Sequence, residues 1–140
     1  NRGDALAVIH QEDLKIGLQI CYEIGFPEGA RILTLQGANV LIYPSAFGEQ
    51  RYYIWDTASK ARAIENGCYV IAANRSGIEK QSTQFGGKSR IIDPQGKVLV
   101  EAVQEDECIV ATIDLQRVIQ QRREVPYLRD LNKAIFHPSE

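Results

Sequence analysis

A thiol is the strongest nucleophile this chain offers, and Cys21 stands where one could act. The apolar alternation of Leu14 to Ile20 stops immediately before it, and Pro27 opens a helix soon after it. A side chain on a sharp strand-to-helix turn projects from the sheet edge toward substrate. The competing role for Cys21 is that of a small core hydrophobe. Packing is the expected role of Cys68, which precedes an apolar run, and of Cys108, which begins one.

A nucleophilic thiol needs a group to take its proton. With a two-residue turn at Glu12-Asp13, Gln11 faces Leu14 and His10 faces Lys15. At strand rise His10 and Lys15 then lie roughly 20 Å from Cys21, too far to serve. Glu23 is near in sequence, but a neighbouring carboxylate repels a thiolate. His137 lies in the tail, where a side chain is expected to be solvated. The 3 cysteines are widely spaced, with no CxxC and only 2 histidines, so neither a disulfide framework nor a metal site is expected.

The elements that must position Cys21 alternate between strand and helix character, which predicts an α/β fold. Ala5 to Gln11 and Leu14 to Ile20 read as a hairpin, and Pro27 to Gln36 as a helix that Gly37 ends. Asn39 to Ala46 reads as a buried strand, followed by a polar loop. Across Tyr52 to Asn66, Ile54, Ala58, Ala61 and Glu65 fall on one helical stripe, and Gly67 closes it. Glu65 on that stripe should be paired, with Arg62 or Arg75. Tyr69 to Ala73 is a further buried strand. Ser89 to Ile92 and Lys97 to Val103 flank Asp93-Pro94-Gln95-Gly96, the residue order of a type I turn. Cys108 to Ile113 reads as one more strand, and Asp114 as the N-cap of a helix with Leu115, Val118, Ile119 and Arg122 on one face. Phe47 and Tyr52, just beyond a strand end, are placed to line a pocket or to fill core. Gly86-Gly87-Lys88 reads as a turn, with an anion cradle as the alternative.

Composition narrows the function classes. With 140 residues, 44% hydrophobic and 24% charged, and a net charge of −2, the chain is of ordinary globular type and lacks the basic field that nucleic-acid binding needs. No apolar run approaches the ~20 residues of a membrane span, and the N-terminus has no signal-peptide core, so cytoplasmic location is the expectation. There is no methionine, so the chain is not expected to begin at a natural initiator, and a fragment or a processed product is the expectation.

Five ordered blocks resemble the nitrilase superfamily of carbon-nitrogen hydrolases: Gly17-Leu18-Gln19-Ile20-Cys21-Tyr22-Glu23 with Phe26-Pro27-Glu28; Gly37-Ala38-Asn39-Val40-Leu41; Trp55 with Arg62-Ala63-Ile64-Glu65-Asn66; Ala73-Asn74-Arg75; and Gly86-Gly87-Lys88-Ser89 with Ile92-Asp93-Pro94-Gln95-Gly96. The resemblance covers nearly the whole chain, from about Leu6 to Phe136. The resemblance implies an αββα four-layer sandwich in which a cysteine, a glutamate base and a lysine hydrolyse small amides, N-carbamoyl amines or amino acids, or less often nitriles.

By motif, Cys21 takes the nucleophile's place and the Tyr22 backbone N–H that of an oxyanion donor. No cofactor is implied, since thiol, carboxylate and ammonium suffice for acyl transfer. The glutamate and lysine fall upstream of this chain, so residues 1–140 are expected to be the C-terminal part of one domain. That part is incomplete without its upstream half and inactive alone. A non-catalytic assembly fragment is the alternative. Residues 126–140, with Tyr127, Leu131 and Phe136, are expected to make contacts in a homo-oligomer. The family pattern often has Asp where Glu23 stands and Arg where Gly25 stands, which bears on the substrate.

Overall fold

The computed structural model describes residue 3 and residues 5–136; His137 lies outside them. Alternating residues build the first hairpin, β1 (Val8–Gln11) and β2 (Leu14–Leu18), in the expected register with His10 opposite Lys15 and Gln11 opposite Leu14. A short 3-10 turn, Cys21–Gly25, then feeds α1 (Pro27–Leu35). Pro27 opens α1, where its missing N–H costs nothing. At the other end the N–H groups of Gly37 and Ala38 return to the carbonyls of Thr34 and Leu33 at 2.9 and 3.0 Å, with Gly37 at φ +106°.

The apolar runs become β3 (Val40–Ser45) and β4 (Tyr69–Asn74), joined through α2 (Tyr52–Asn66). A two-stranded ribbon follows, β5 (Ile78–Glu79) with β6 (Thr83–Gln84), in a stretch whose glycines read only as loop. The Asp93 turn forms as expected between β7 (Arg90–Ile92) and β8 (Val98–Glu101), with the Gly96 N–H donating to the Asp93 carbonyl at 2.9 Å. The six-stranded mixed sheet has the order β1-β2-β3-β4-β7-β8, with β2, β3 and β4 parallel.

One face of this sheet carries Leu41, Tyr43, Val70, Ala72 and Ile92 into a core shared with Leu33 of α1 and Trp55 and Ala63 of α2. On the other face Val40 and Tyr69 pack against Val118 of α3 (Leu115–Glu124), whose N-cap is Asp114, with its carboxylate accepting the Gln116 N–H at 2.9 Å. Further along that face Leu18 is 43% exposed and Ile42 and Ile71 are half-buried. A four-residue helix, α4 (Tyr127–Asp130), packs back on α2.

Several expectations are corrected. Cys108 to Ile113 is not a strand: Ile109, Ala111 and Ile113 are half-buried in alternation, but β8 pairs only with β7 and the segment joins no described ladder. Cys108 is therefore exposed rather than packed, whereas Cys68 is buried as expected. On α2 the buried stripe is Trp55, Ser59, Arg62, Ala63 and Asn66, displaced from the more apolar line of Ile54, Ala58 and Ala61. Hydrogen bonds offset part of the cost of burying the polar members: Asn66 Nδ2 donates to the Arg62 carbonyl at 3.0 Å, while its Oδ1 is buried without a partner. On α3, Ile119 is 42% exposed while Gln121 is buried.

Candidate active site

Because β2, β3 and β4 are parallel, their C-terminal ends gather at one edge of the sheet, the usual place for a site in an α/β protein. There Cys21 leaves β2 at φ +48°, a left-handed backbone conformation that costs a residue with a β-carbon about 1–2 kcal/mol. The thiol is half-buried, and the backbone N–H of Ala46, just past β3, lies 3.4 Å from its sulfur. Strain of this kind persists only where the surroundings hold it.

The surroundings do so from several directions. Upstream, buried Gln19 accepts the Tyr43 hydroxyl at 2.9 Å, and burial raises that phenol above its ordinary value. Gln19 is wedged so closely under α1 that a β-carbon on Gly29 would sit 2.2 Å from its Nε2. Across the turn, the Ile20 N–H donates to Glu23 Oε2 at 2.6 Å and the Glu23 N–H to the Ile20 carbonyl at 3.0 Å. Downstream, Arg62 Nε donates to the Ile24 carbonyl at 3.0 Å, while its Nη1 pairs with Glu65 Oε1 at 3.0 Å, one of the two partners expected for Glu65; the other, Arg75, pairs with Glu79.

Tyr22 is the second residue of the 3-10 turn, and its N–H is one of those that a helix start leaves without an intrahelical acceptor. Its side chain is 72% exposed and sets its ring edge-on to Phe26. Phe47 is buried in the core, its ring 5.5 Å from that of Trp55, so its side chain fills core rather than lining a pocket. Its backbone matters more. Buried Asn74 accepts the Phe47 N–H at 2.7 Å and donates to the Gly87 carbonyl at 2.9 Å, bracing the loops beyond β3 and β4.

The Tyr52 hydroxyl is engaged by Arg90, and Lys88 Nζ stands 4.7 Å above its ring. Arg90 is fully buried between Asp56 and Glu101, each 2.6 Å away. Hydrogen bonds from Lys60 and Arg90 hold the Asp56 carboxyl below its ordinary value. The N–H groups of Gly86 and Gly87 are spent on the carbonyls of Phe47 and Arg75, so this loop is a turn and its glycines form no anion cradle.

A cleft of about 560 Å³ is lined by Ala46, whose N–H faces the Cys21 sulfur, and runs between the Gly48–Arg51 segment and the residues around β6, Ser82 to Phe85; Cys21 itself does not line it. Its lining is mostly polar, with Glu49, Gln50, Arg51 and Gln84. His10 is remote, opposite Lys15 in the hairpin. Among the described residues no group of three or more His, Cys, Asp or Glu side chains could hold a metal ion, and no helix is long and apolar enough to cross a membrane.

Cys21 stands at the strand end expected from the sequence, whereas the bracing roles of Gln19, Asn74 and Arg62 emerge only in the fold. Polar residues at core-facing positions were the available signal: Gln19 follows Gly17 on the buried face of β2, and Asn74 ends an apolar run.

Comparison with known proteins agrees with this geometry. The chain is 41% identical over 117 residues to a 2-oxoglutaramate amidase from Bacillus subtilis, covering 84% of this chain and 45% of that protein. A carbon-nitrogen hydrolase from Helicobacter pylori superposes with a TM-score of 0.83 at 34% identity, over 89% of this chain and 48% of that one. A mutant of the amidase from Nesterenkonia sp. AN1, at TM-score 0.75 and 27% identity over 93% of this chain and 49% of its own, carries the acetamide moiety of fluoroacetamide covalently added at its active-site cysteine. The chain spans about half the length of the curated relatives it matches. The α/β architecture, a mixed sheet flanked by helices, is that of these nitrilase-fold neighbours. The carbon-nitrogen hydrolase family model matches residues 1–123, and the chain belongs to this family.

Proposed function

We propose that this chain carries the nucleophile of an amidase that hydrolyses a small amide through a thioester on Cys21. The observation that carries the reading is the placement of Cys21: strained just past the end of β2, with the backbone N–H of Ala46 on its sulfur and a polar cleft lined by that same Ala46. A base takes the thiol proton and the sulfur adds to the amide carbon. The resulting oxyanion is met by the Tyr22 N–H. Collapse breaks the carbon-nitrogen bond, and the leaving nitrogen departs protonated as ammonia or an amine. Water, deprotonated by the same base, then adds to the thioester, and a second collapse releases the carboxylic acid and returns the thiol.

The base and the ammonium that assists it are assigned to residues outside this chain, in the upstream half of a four-layer sandwich. That half would cover Leu18, Ile42 and Ile71 on the half-exposed sheet face. Tyr52 is assigned to the site's border, its hydroxyl occupied by Arg90 and its ring covered by Lys88. Tyr127, 55% exposed on α4, is assigned to a contact between copies of the protein.

The test is ammonia release by the intact protein from a panel of amides that includes 2-oxoglutaramate and an N-carbamoyl amino acid. Turnover of an amide that Cys21→Ala abolishes supports the reading. Turnover that survives Cys21→Ala ends it, and turnover of the N-carbamoyl compound alone redirects the substrate class.

A further inference from the structure

Cys21 holds a left-handed backbone, and the residues on either side of it are bound to one another. The Glu23 carboxylate accepts the Ile20 N–H at 2.6 Å, while the Glu23 N–H donates to the Ile20 carbonyl at 3.0 Å. Two bonds between Ile20 and Glu23 thus close a small ring around Cys21 and Tyr22. Without the carboxylate, Ile20 would keep only the backbone half of this ring, and Cys21 could relax toward the negative φ that residues with a β-carbon prefer. The ring is exposed on its outer side, with both Ile20 and Glu23 open to solvent. The carboxylate therefore adds little to the core. What it fixes is the direction of the Cys21 side chain relative to the Ala46 N–H and the cleft.

The geometry points to Glu23 as a positioning residue for the nucleophile. Its carboxylate acts as a hydrogen-bond acceptor that locks the backbone of Cys21, and it touches neither substrate nor sulfur. The inference rests on the reading of Cys21 as the nucleophile. Because the role is that of an acceptor and not of a charge, the amide oxygen of glutamine should fill it and alanine should not.

The experiment measures the rate at which iodoacetamide alkylates Cys21 in the intact protein, followed by peptide mass spectrometry, with exposed Cys108 as internal reference. Glu23→Ala is expected to slow alkylation of Cys21 about tenfold, with Cys108 unchanged, and Glu23→Gln to restore it to within about twofold. For turnover of the best amide of the panel, the same order is expected in kcat, with KM little moved. Thermal unfolding of Cys21→Gly, Glu23→Ala and the double variant adds a readout that needs no activity. Glycine carries no strain at this φ, so relaxation of the turn offsets none of the lost bond there, and the loss of Tm caused by Glu23→Ala should be larger in the Cys21→Gly background.

Parental alkylation of Cys21 in Glu23→Ala, or an additive cycle, overturns the inference and leaves the nucleophile reading standing. Turnover surviving Cys21→Ala ends the nucleophile reading, while the cycle still decides whether Glu23 locks the turn. If Glu23→Ala does not fold, hydrogen exchange in the parent decides the matter: the Ile20 amide must be protected despite its exposed position, and rapid exchange there overturns the inference.

Discussion

Arg62 Nε donates to the carbonyl of Ile24 across 3.0 Å, fastening the middle of α2 to the turn that presents Cys21. The guanidinium is nearly sealed from solvent, its side chain 8% exposed, and its other arm meets Glu65. Arg62→Ala would leave a buried carbonyl and a half-buried carboxylate without their partner. A loss of about 2–3 kcal/mol is expected, read as a lower urea midpoint at unchanged slope. Arg62→Lys should recover only part of it, because an ammonium lacks the fork that reaches both acceptors.

A second brace makes stability depend on pH. Asp56 is held below its ordinary carboxyl value by Lys60 and Arg90, so the unfolded chain binds the proton more readily than the folded one. The sign follows: this contribution is complete above the ordinary aspartate range and is lost as pH falls through and below it. Urea midpoints at pH 6, 4.5 and 3.5, values that bracket an aspartate's usual ~4, should fall less steeply for Asp56→Asn than for the parent. Parallel curves would show that the Arg90 cluster is not linked to pH.

Gly29 tests how tightly the strand end is wedged. A β-carbon there would meet Gln19 Nε2 at 2.2 Å, and Gln19 cannot swing away without releasing the Tyr43 hydroxyl. Gly29→Ala is expected to cost about 1–3 kcal/mol despite alanine's better helix propensity. In a Gln19→Ala background the added cost should largely vanish, since the clash is gone; both are read from chemical denaturation.

The cysteines should separate by accessibility. Cys108 is exposed and Cys21 half-buried, whereas Cys68 is sealed in the core, where burial pushes its thiol up. Titration of the native protein with a chromogenic disulfide reagent should consume Cys108 and Cys21 and spare Cys68 until denaturant is added.

Much of this arrangement is legible in the chain. The alternation on either side of Glu12-Asp13 sets a register that the structure reproduces pair for pair, and Asp93-Pro94-Gln95-Gly96 forms its turn. Cys21 was placed at the strand end from its neighbours alone. Local pattern was least informative where the outcome depended on distant partners. The residues from Cys108 to Ile113 alternate in burial as a strand would, but alternation reports which side is covered and says nothing of a neighbour to pair with. On α2, hydropathy favoured Ile54 and Ala58, while the buried stripe includes Arg62 and Asn66, whose hydrogen-bond partners offset the cost of burial. The position of Phe47 beyond a strand end suits pocket lining and core filling equally, and its contact with Trp55, in a helix that follows, decides for the core.

The central claim, that Cys21 is the nucleophile, is met most directly by covalent capture of its thiol, which displaces fluoride from fluoroacetamide and leaves a thioether-linked acetamide. Intact protein incubated with fluoroacetamide and digested for mass spectrometry should carry its adduct on the peptide containing Cys21, and ammonia release should fall in proportion to that labelling. An adduct confined to Cys108, or loss of activity without labelling of Cys21, would contradict the account.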